Sequence, residues 1–282
     1  MKASLRMWMN TLLLVLLTLS VGNGSMAADT AVAGRPQTYF LFVFSNPVDG
    51  MESEFNRWYE QQHAPDVVSI PGFVSAQRFV IADQQLRAGS PGKPRYLVVY
   101  QIVTDNLTAV STEVNRRLAS GQTRMSPSFD AKSAQGLLYR ALGPEVPGVG
   151  GTPPGAVSGT DQTYYQLVFA DPVAGREAEF NRWYDEHHAP EVAAVPGFVS
   201  WQRAVLNDQQ MNPPAPASKY VTLFKIVTAD LPAVFKEFGA RAPRMGISPA
   251  FDGNRTFGYT YRAIGPLLLG DEIRAQRATG TH

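Results

Sequence analysis

One stretch of this chain occurs twice. Residues 52–78 read ESEFNRWYEQQHAPDVVSIPGFVSAQR and residues 177–203 read EAEFNRWYDEHHAPEVAAVPGFVSWQR, an offset of 125 residues. The same offset aligns Asn46-Pro47-Val48 with Asp171-Pro172-Val173. Downstream, RYLVVYQIVT from Arg95 matches KYVTLFKIVT from Lys219, SPSFD from Ser126 matches SPAFD from Ser248, and YRALGP from Tyr139 matches YRAIGP from Tyr261. Order and spacing are kept, so any architecture for the first copy must serve the second, a constraint that precedes all others. The expected division is a first unit at 36–144, a Pro/Gly-rich linker at 145–162, a second unit at 163–266 and a loosely held tail at 267–282.

Within a unit the hydrophobic period alternates between two and 3.6. YFLFVF from Tyr39 reads as a strand, residues 51–63 as a helix, and Pro71-Gly72 separates that helix from the next strand. FVSAQRFVIA then places Phe73, Ser75, Gln77 and Phe79 on one face and Val74, Ala76, Arg78 and Val80 on the other. RYLVVYQIV is a third strand, residues 107–118 a second helix, and GLLYRAL a closing strand. The pattern predicts an α+β class: two tandem ferredoxin-like βαββαβ units, each a four-stranded sheet with both helices on one face. Apolar residues lie on both faces of these strands, so the bare face also needs cover. Either the two units pack face to face into an intrachain barrel, or each pairs with another molecule; their presence in one chain favours the first.

The N-terminus MKASLRMWMNTLLLVLLTLSVGNGSMAADT has basic Lys2 and Arg6, an apolar run over residues 12–21 and small residues at 25, 27 and 28. That is the layout of a cleaved signal peptide over 1–28, and predicts a periplasmic or secreted protein, the alternative being an uncleaved anchor. The run is short for a membrane span. The sequence has no cysteine, which rules out disulfides, thiolate catalysis and cysteine metal sites. Once Lys2 and Arg6 leave with the leader, 23 basic residues face 24 acidic ones, a net charge of −1. Such a chain is not expected to partner nucleic acid or, after cleavage, a membrane.

The chemistry-bearing residues gather on the first helix of each unit. Phe180, Trp183, Tyr184, His187 and His188 follow the i, i+3, i+4, i+7, i+8 spacing of one face, with Pro190 expected to end the helix just beyond. His63 holds the same place in the first copy, so His63 and His188 are the candidate general acids or bases. A histidine in a last helical turn also serves the helix dipole and caps a free carbonyl. If one copy alone is catalytic, the doubled His187-His188 points to the second. Tyr59, Tyr184, Asn56 and Asn181, one and two turns earlier, are candidate substrate-binding residues, as is His187; the Asn and Tyr side chains equally suit a buried strand end. Arg78 and Arg203, on a strand face with apolar neighbours, must be paired or meet an anion; Arg140 and Arg262 recur in the last strand. The pairing partners expected for these arginines are Asp130 and Asp252. Trp58, Trp183 and Trp201 read as core. No metal is expected: His187, His188 and Glu191 diverge by about 100° per residue on a helix, and the first copy lacks His187. No P-loop, dinucleotide fingerprint or nucleophile elbow is present.

The segment FNRWYDEHHAPEVAAVPGFVSWQR, in both copies, resembles the dimeric α+β barrel superfamily. More closely it is similar to the EthD-like proteins, with their W-Y-x-x-H-x-P segment followed by P-G-F-x-x-x-x-R. The resemblance covers nearly all of the chain after the leader and implies a barrel flanking or enclosing a small-molecule pocket. It does not choose a reaction, because the superfamily includes monooxygenases, cyclases, isomerases, a lyase and haem enzymes. The expected function is a cofactor-independent lyase, isomerase, cyclase or dehydratase acting by proton transfer on an apolar or aromatic molecule. The alternatives are a non-catalytic ligand-binding or scaffold protein, and a cofactor-free or haem monooxygenase. The expected partner is a small molecule, and the expected state a monomeric pseudo-dimer with further self-association open.

Overall fold

The computed structural model describes residues 34–86, 94–150, 161–211 and 217–280. The predicted leader and the centre of the predicted linker lie outside the described residues. The strands are β1 (Gln37–Ser45), β2 (Phe73–Ile81), β3 (Tyr96–Thr104), β4 (Gln135–Ala141), β5 (Val146–Pro147), β6 (Gln162–Ala170), β7 (Phe198–Leu206), β8 (Tyr220–Thr228) and β9 (Phe257–Leu269). The helices are α1 (residues 52–68), α2 (Leu107–Ser120), α3 (residues 177–193), α4 (Leu231–Arg241) and α5 (Gly270–Thr279).

Eight strands close into one antiparallel barrel in the order β4-β1-β3-β2-β9-β6-β8-β7, with β7 pairing back to β4. Two junctions close it: Phe79↔Ala263 and its neighbours between β2 and β9, and Arg140↔Val205 between β4 and β7. The closure is therefore made by hydrogen-bonded edges rather than by two sheets packed face to face, and leaves no open edge in the ring. β5 runs on beyond β4 along β7, pairing Val146↔Trp201.

Strand alternation sorts the side chains into two environments. One apolar cluster draws on all eight barrel strands and fills the interior, with Phe40, Phe42, Phe44, Phe79, Tyr139 and Phe169 among its largest members. Edge contacts such as Phe42 to Phe169, 6.4 Å between centroids, cross from one half to the other. Two further clusters lie outside, one between α1, α2 and the β1–β3 side, the other between α3, α4 and the β6–β8 side.

Three local expectations change. A register shift between Phe73 and Ser75 turns Phe73 outward to join Ala76 in the helix-facing cluster, while Phe79 stays inside the barrel. The bulge inserts one residue, which reverses the alternation on one side of it. Pro65 and Pro190 do not end their helices. Each follows a π-turn, Tyr59–His63 or Tyr184–His188, in which the Ala64 and Ala189 N–H groups reach back five residues to Tyr59 and Tyr184. The wider turn relieves the clash between the proline ring and the preceding turn, and the helix resumes. Finally, the segment expected as a loose tail contains the end of β9 and helix α5, whose Arg274 donates to the Phe73 carbonyl and whose Arg277 pairs with Asp66 at 2.6 Å.

Candidate functional site

Helix α1 delivers its working residues because Phe55, Trp58 and Tyr59 are drawn into the helix–sheet core, each under a tenth exposed. That anchors the turn below them, and the π-turn carries His63 onto the same side. The imidazole lies over Trp58, 4.4 Å between centroids at 31°, and meets the Tyr59 ring edge-on at 5.1 Å. In α3 the counterparts are 4.7 Å for His188 on Trp183 and 5.0 Å for His188 with Tyr184. The tryptophans are fixed by their indole N–H groups, which donate to the Arg124 and Gly246 carbonyls at 2.9 and 2.8 Å. Both histidines thus sit in the helix–sheet layers, outside the barrel interior. His187 is exposed.

His63 Nδ1 is buried without a hydrogen-bond partner among the described residues. Burial pushes this imidazole down to about 4, against a hydrogen bond to the Arg124 backbone. The ring is therefore neutral at physiological pH. Next to it, burial pushes the Tyr59 phenol up to about 12, with Ser45 and Arg78 pulling the other way. The Tyr100 phenol is buried, has no hydrogen-bond partner among the described residues and is raised well above its ordinary value by the same desolvation.

The arginines are engaged internally. Arg78, 5% exposed, donates to Glu60 at 2.9 Å and Asn56 Oδ1 at 2.7 Å, with its guanidinium 5.0 Å from the Tyr59 ring centroid. Asn56 in turn donates to Tyr96 Oη at 3.0 Å, and Tyr96 donates to Glu52. The other half repeats this network: Arg203 to Asp185 at 2.7 Å and Asn181 at 2.8 Å, Asn181 to Tyr220 at 3.0 Å, and Tyr220 to Glu177. Arg203 lies 4.4 Å from the Tyr184 ring centroid. Arg78 and Arg203 thus pair with neither Asp130 nor Asp252, which cap their own turns by accepting from the Lys132 and Asn254 backbone N–H groups. The acid in the helix turn facing the strand lies nearer to the guanidinium, and wins.

The two layers differ in a way that bears on which one works. Ser45 and Tyr100 of the first half stand where the second has Ala170 and Phe224. Hydroxyl groups therefore gather around Tyr59 and Arg78, while the extra histidine of the second half points to solvent.

A concave feature lies inside the barrel, away from the histidines, at the end where β1 and β6 begin. It has a volume of about 60 Å³ and is lined by Tyr165, Lys225, Ser200, Glu145, Gln101 and Phe40, with Gln202 and Leu223 behind. Sequence reasoning missed these residues. The available signal was the divergence between copies: Phe40 becomes Tyr165 and Gln101 becomes Lys225 in an otherwise repeated pattern.

No protein-family profile matches the sequence, and no curated protein does either. Solved structures do match by shape. A monooxygenase-like protein of Fusobacterium nucleatum subsp. nucleatum superposes with a TM-score of 0.50 at 8% identity, covering 84% of this chain and 95% of that one. An anthrone oxidase-like protein gives 0.47 at 11% identity over 84% and 95%. Chlorite dismutase from Candidatus Nitrospira defluvii gives 0.45 at 13% identity over 86% and 95%. At these identities the likeness is one of fold. The chain is a mixed α+β protein whose eight strands close into an antiparallel barrel.

Proposed function

We propose that this chain is an exported small-molecule enzyme that works by proton transfer at His63, without metal or organic cofactor. In this reading two tandem EthD-like, ferredoxin-like units form an intrachain pseudo-dimer. The repeated strand order on either side of the β2–β9 and β4–β7 junctions supports that duplication. The observation that carries the catalytic reading is the buried His63 Nδ1 with no partner, beside phenols that burial keeps protonated. A neutral imidazole accepts a proton; a protonated phenol and a guanidinium stabilise the negative charge left behind. Tyr59 stands between the two, its ring 5.1 Å from the imidazole and 5.0 Å from the Arg78 guanidinium. Because so weak a base matches only an acidic proton, the substrate class is a phenol or a carbon flanked by carbonyl groups. His188 is the second candidate, in the less polar layer.

The test is turnover of carbonyl and phenolic substrates by His63→Gln, His188→Gln and the double variant. The expected result is loss in His63→Gln, with wild-type activity flat above about pH 5 and falling toward pH 4. Undiminished turnover in the double variant removes the mechanism. A second reading, an exported ligand-binding protein with no reaction, is favoured by one observation: Arg78 and Asn56 are already satisfied by Glu60 and Tyr96. Native mass spectrometry of protein from its own host separates the two, since a bound and chemically unaltered ligand supports binding alone.

A further inference from the structure

The barrel-mouth cavity stands apart from both histidine layers. Register places Lys225 directly opposite Tyr165 on β6 and opposite Ser200 on β7. Side chains opposite each other on one face of a sheet have Cβ atoms about 5 Å apart, so the three form a row of donors across adjacent strands. The equivalent row in the first half is Phe40, Gln101 and Ser75. There Ser75 donates to Gln101 Oε1 at 3.4 Å, so that row is neutral and partly closed on itself.

Beyond the backbone ladder to β6 and β7, the Lys225 ammonium has no hydrogen bond and no ion pair among the described residues. The nearby carboxylate of Glu145 is occupied differently, accepting the Ser200 hydroxyl at the exposed rim. Partly buried at the mouth and unpaired, this ammonium is available to an anion that enters from solvent. Tyr165 adds a second donor. Its ring packs on Phe79 at 4.8 Å, and burial with the Glu145 charge pushes the phenol up to about 12, so it remains protonated. Phe40 and Leu223 provide apolar walls. One water occupies ~10–15 Å³ on this measure, so about 60 Å³ admits roughly four to six heavy atoms.

We propose that the mouth of the barrel binds a small monocarboxylate, its oxygens held by the Lys225 ammonium and the Tyr165 hydroxyl and its short apolar part against Phe40 and Leu223. Lys225 supplies charge and Tyr165 orientation. The Glu145 carboxylate at the rim opposes the anion and sets the affinity. This site does not depend on His63, and so stands or falls separately from the proposed proton transfer.

The experiment is a ¹H–¹⁵N NMR titration of the whole chain with acetate, propionate and butyrate, with propionamide as the uncharged control. The expected result is saturable shifts on the starts of β6 and β7 and the end of β8 with at least one carboxylate and none with propionamide. Lys225→Gln should weaken binding at least tenfold, as removal of a charge-assisted hydrogen bond does. Glu145→Gln should tighten it about threefold by removing a like charge, and His63→Gln should leave it unchanged. No saturable shift with any carboxylate overturns the proposal. So does equal binding of propionamide, or unaltered affinity in a folded Lys225→Gln protein. The gain expected for Glu145→Gln keeps the test valid even where Lys225→Gln fails to fold, since unchanged or weaker binding there overturns it as well.

Discussion

At the scale of single residues, position in the fold decides what each polar group is free to do. Arg78 and His63 belong to one layer, yet the guanidinium is spent on Asn56 and Glu60 while imidazole Nδ1 is left without a partner. This difference has a consequence for stability. His63 is held near 4 in the fold against an ordinary value of 6.5, so the unfolded chain binds the extra proton first. The stabilisation associated with the neutral, buried ring is whole above about pH 6.5 and is lost as pH falls toward 4, by about 3 kcal/mol. Urea denaturation at a series of pH values should show that slope, and His63→Phe should flatten it. The arginine network makes a different forecast. Arg203→Met should cost about 2 kcal/mol, because Asn181 Oδ1 loses its donor inside the layer while the half-exposed Asp185 recovers water. Chemical denaturation at neutral pH measures it.

At the scale of elements, much was legible and the exceptions have identifiable causes. The strand–helix order, both early helices and the alternation of Ala76, Arg78 and Val80 followed from hydrophobic period alone. The π-turn did not, because a proline after a histidine reads as a stop unless the preceding turn widens. Nor did the bulge at the start of β2, since one inserted residue leaves no trace in an apolar stretch. The site was legible only in part: the repeat drew attention to His63 and His188, but not to Lys225, whose partners across β6 and β7 depend on register. The start of the predicted linker is also more constrained than its composition implies. A Cβ on Gly148 would lie 2.4 Å from the Phe198 carbonyl oxygen, whereas one on Gly143 meets nothing within 4 Å. Gly148→Ala should therefore lower stability by about 1–3 kcal/mol and Gly143→Ala hardly at all, as thermal melts of the two variants can compare.

At the scale of the whole molecule, the barrel interior is shared. Phe42 and Phe169 touch across it, and each half donates one edge to each junction. Neither half is complete without the other, so unfolding should be a single cooperative transition. Amides at Phe79 and Arg140 should exchange hydrogen only with the global opening, as slowly as those deep in β1; two separate transitions would show that the halves stand independently. On this frame the helix–sheet layers carry the proposed chemistry, and shelter of His63 is the condition on which it rests. Histidine side-chain ¹⁵N NMR through a pH titration tests that most directly. The account predicts that His63 stays neutral at pH 7 and titrates near 4. A midpoint near 6.5, the value of an imidazole in open water, would contradict it.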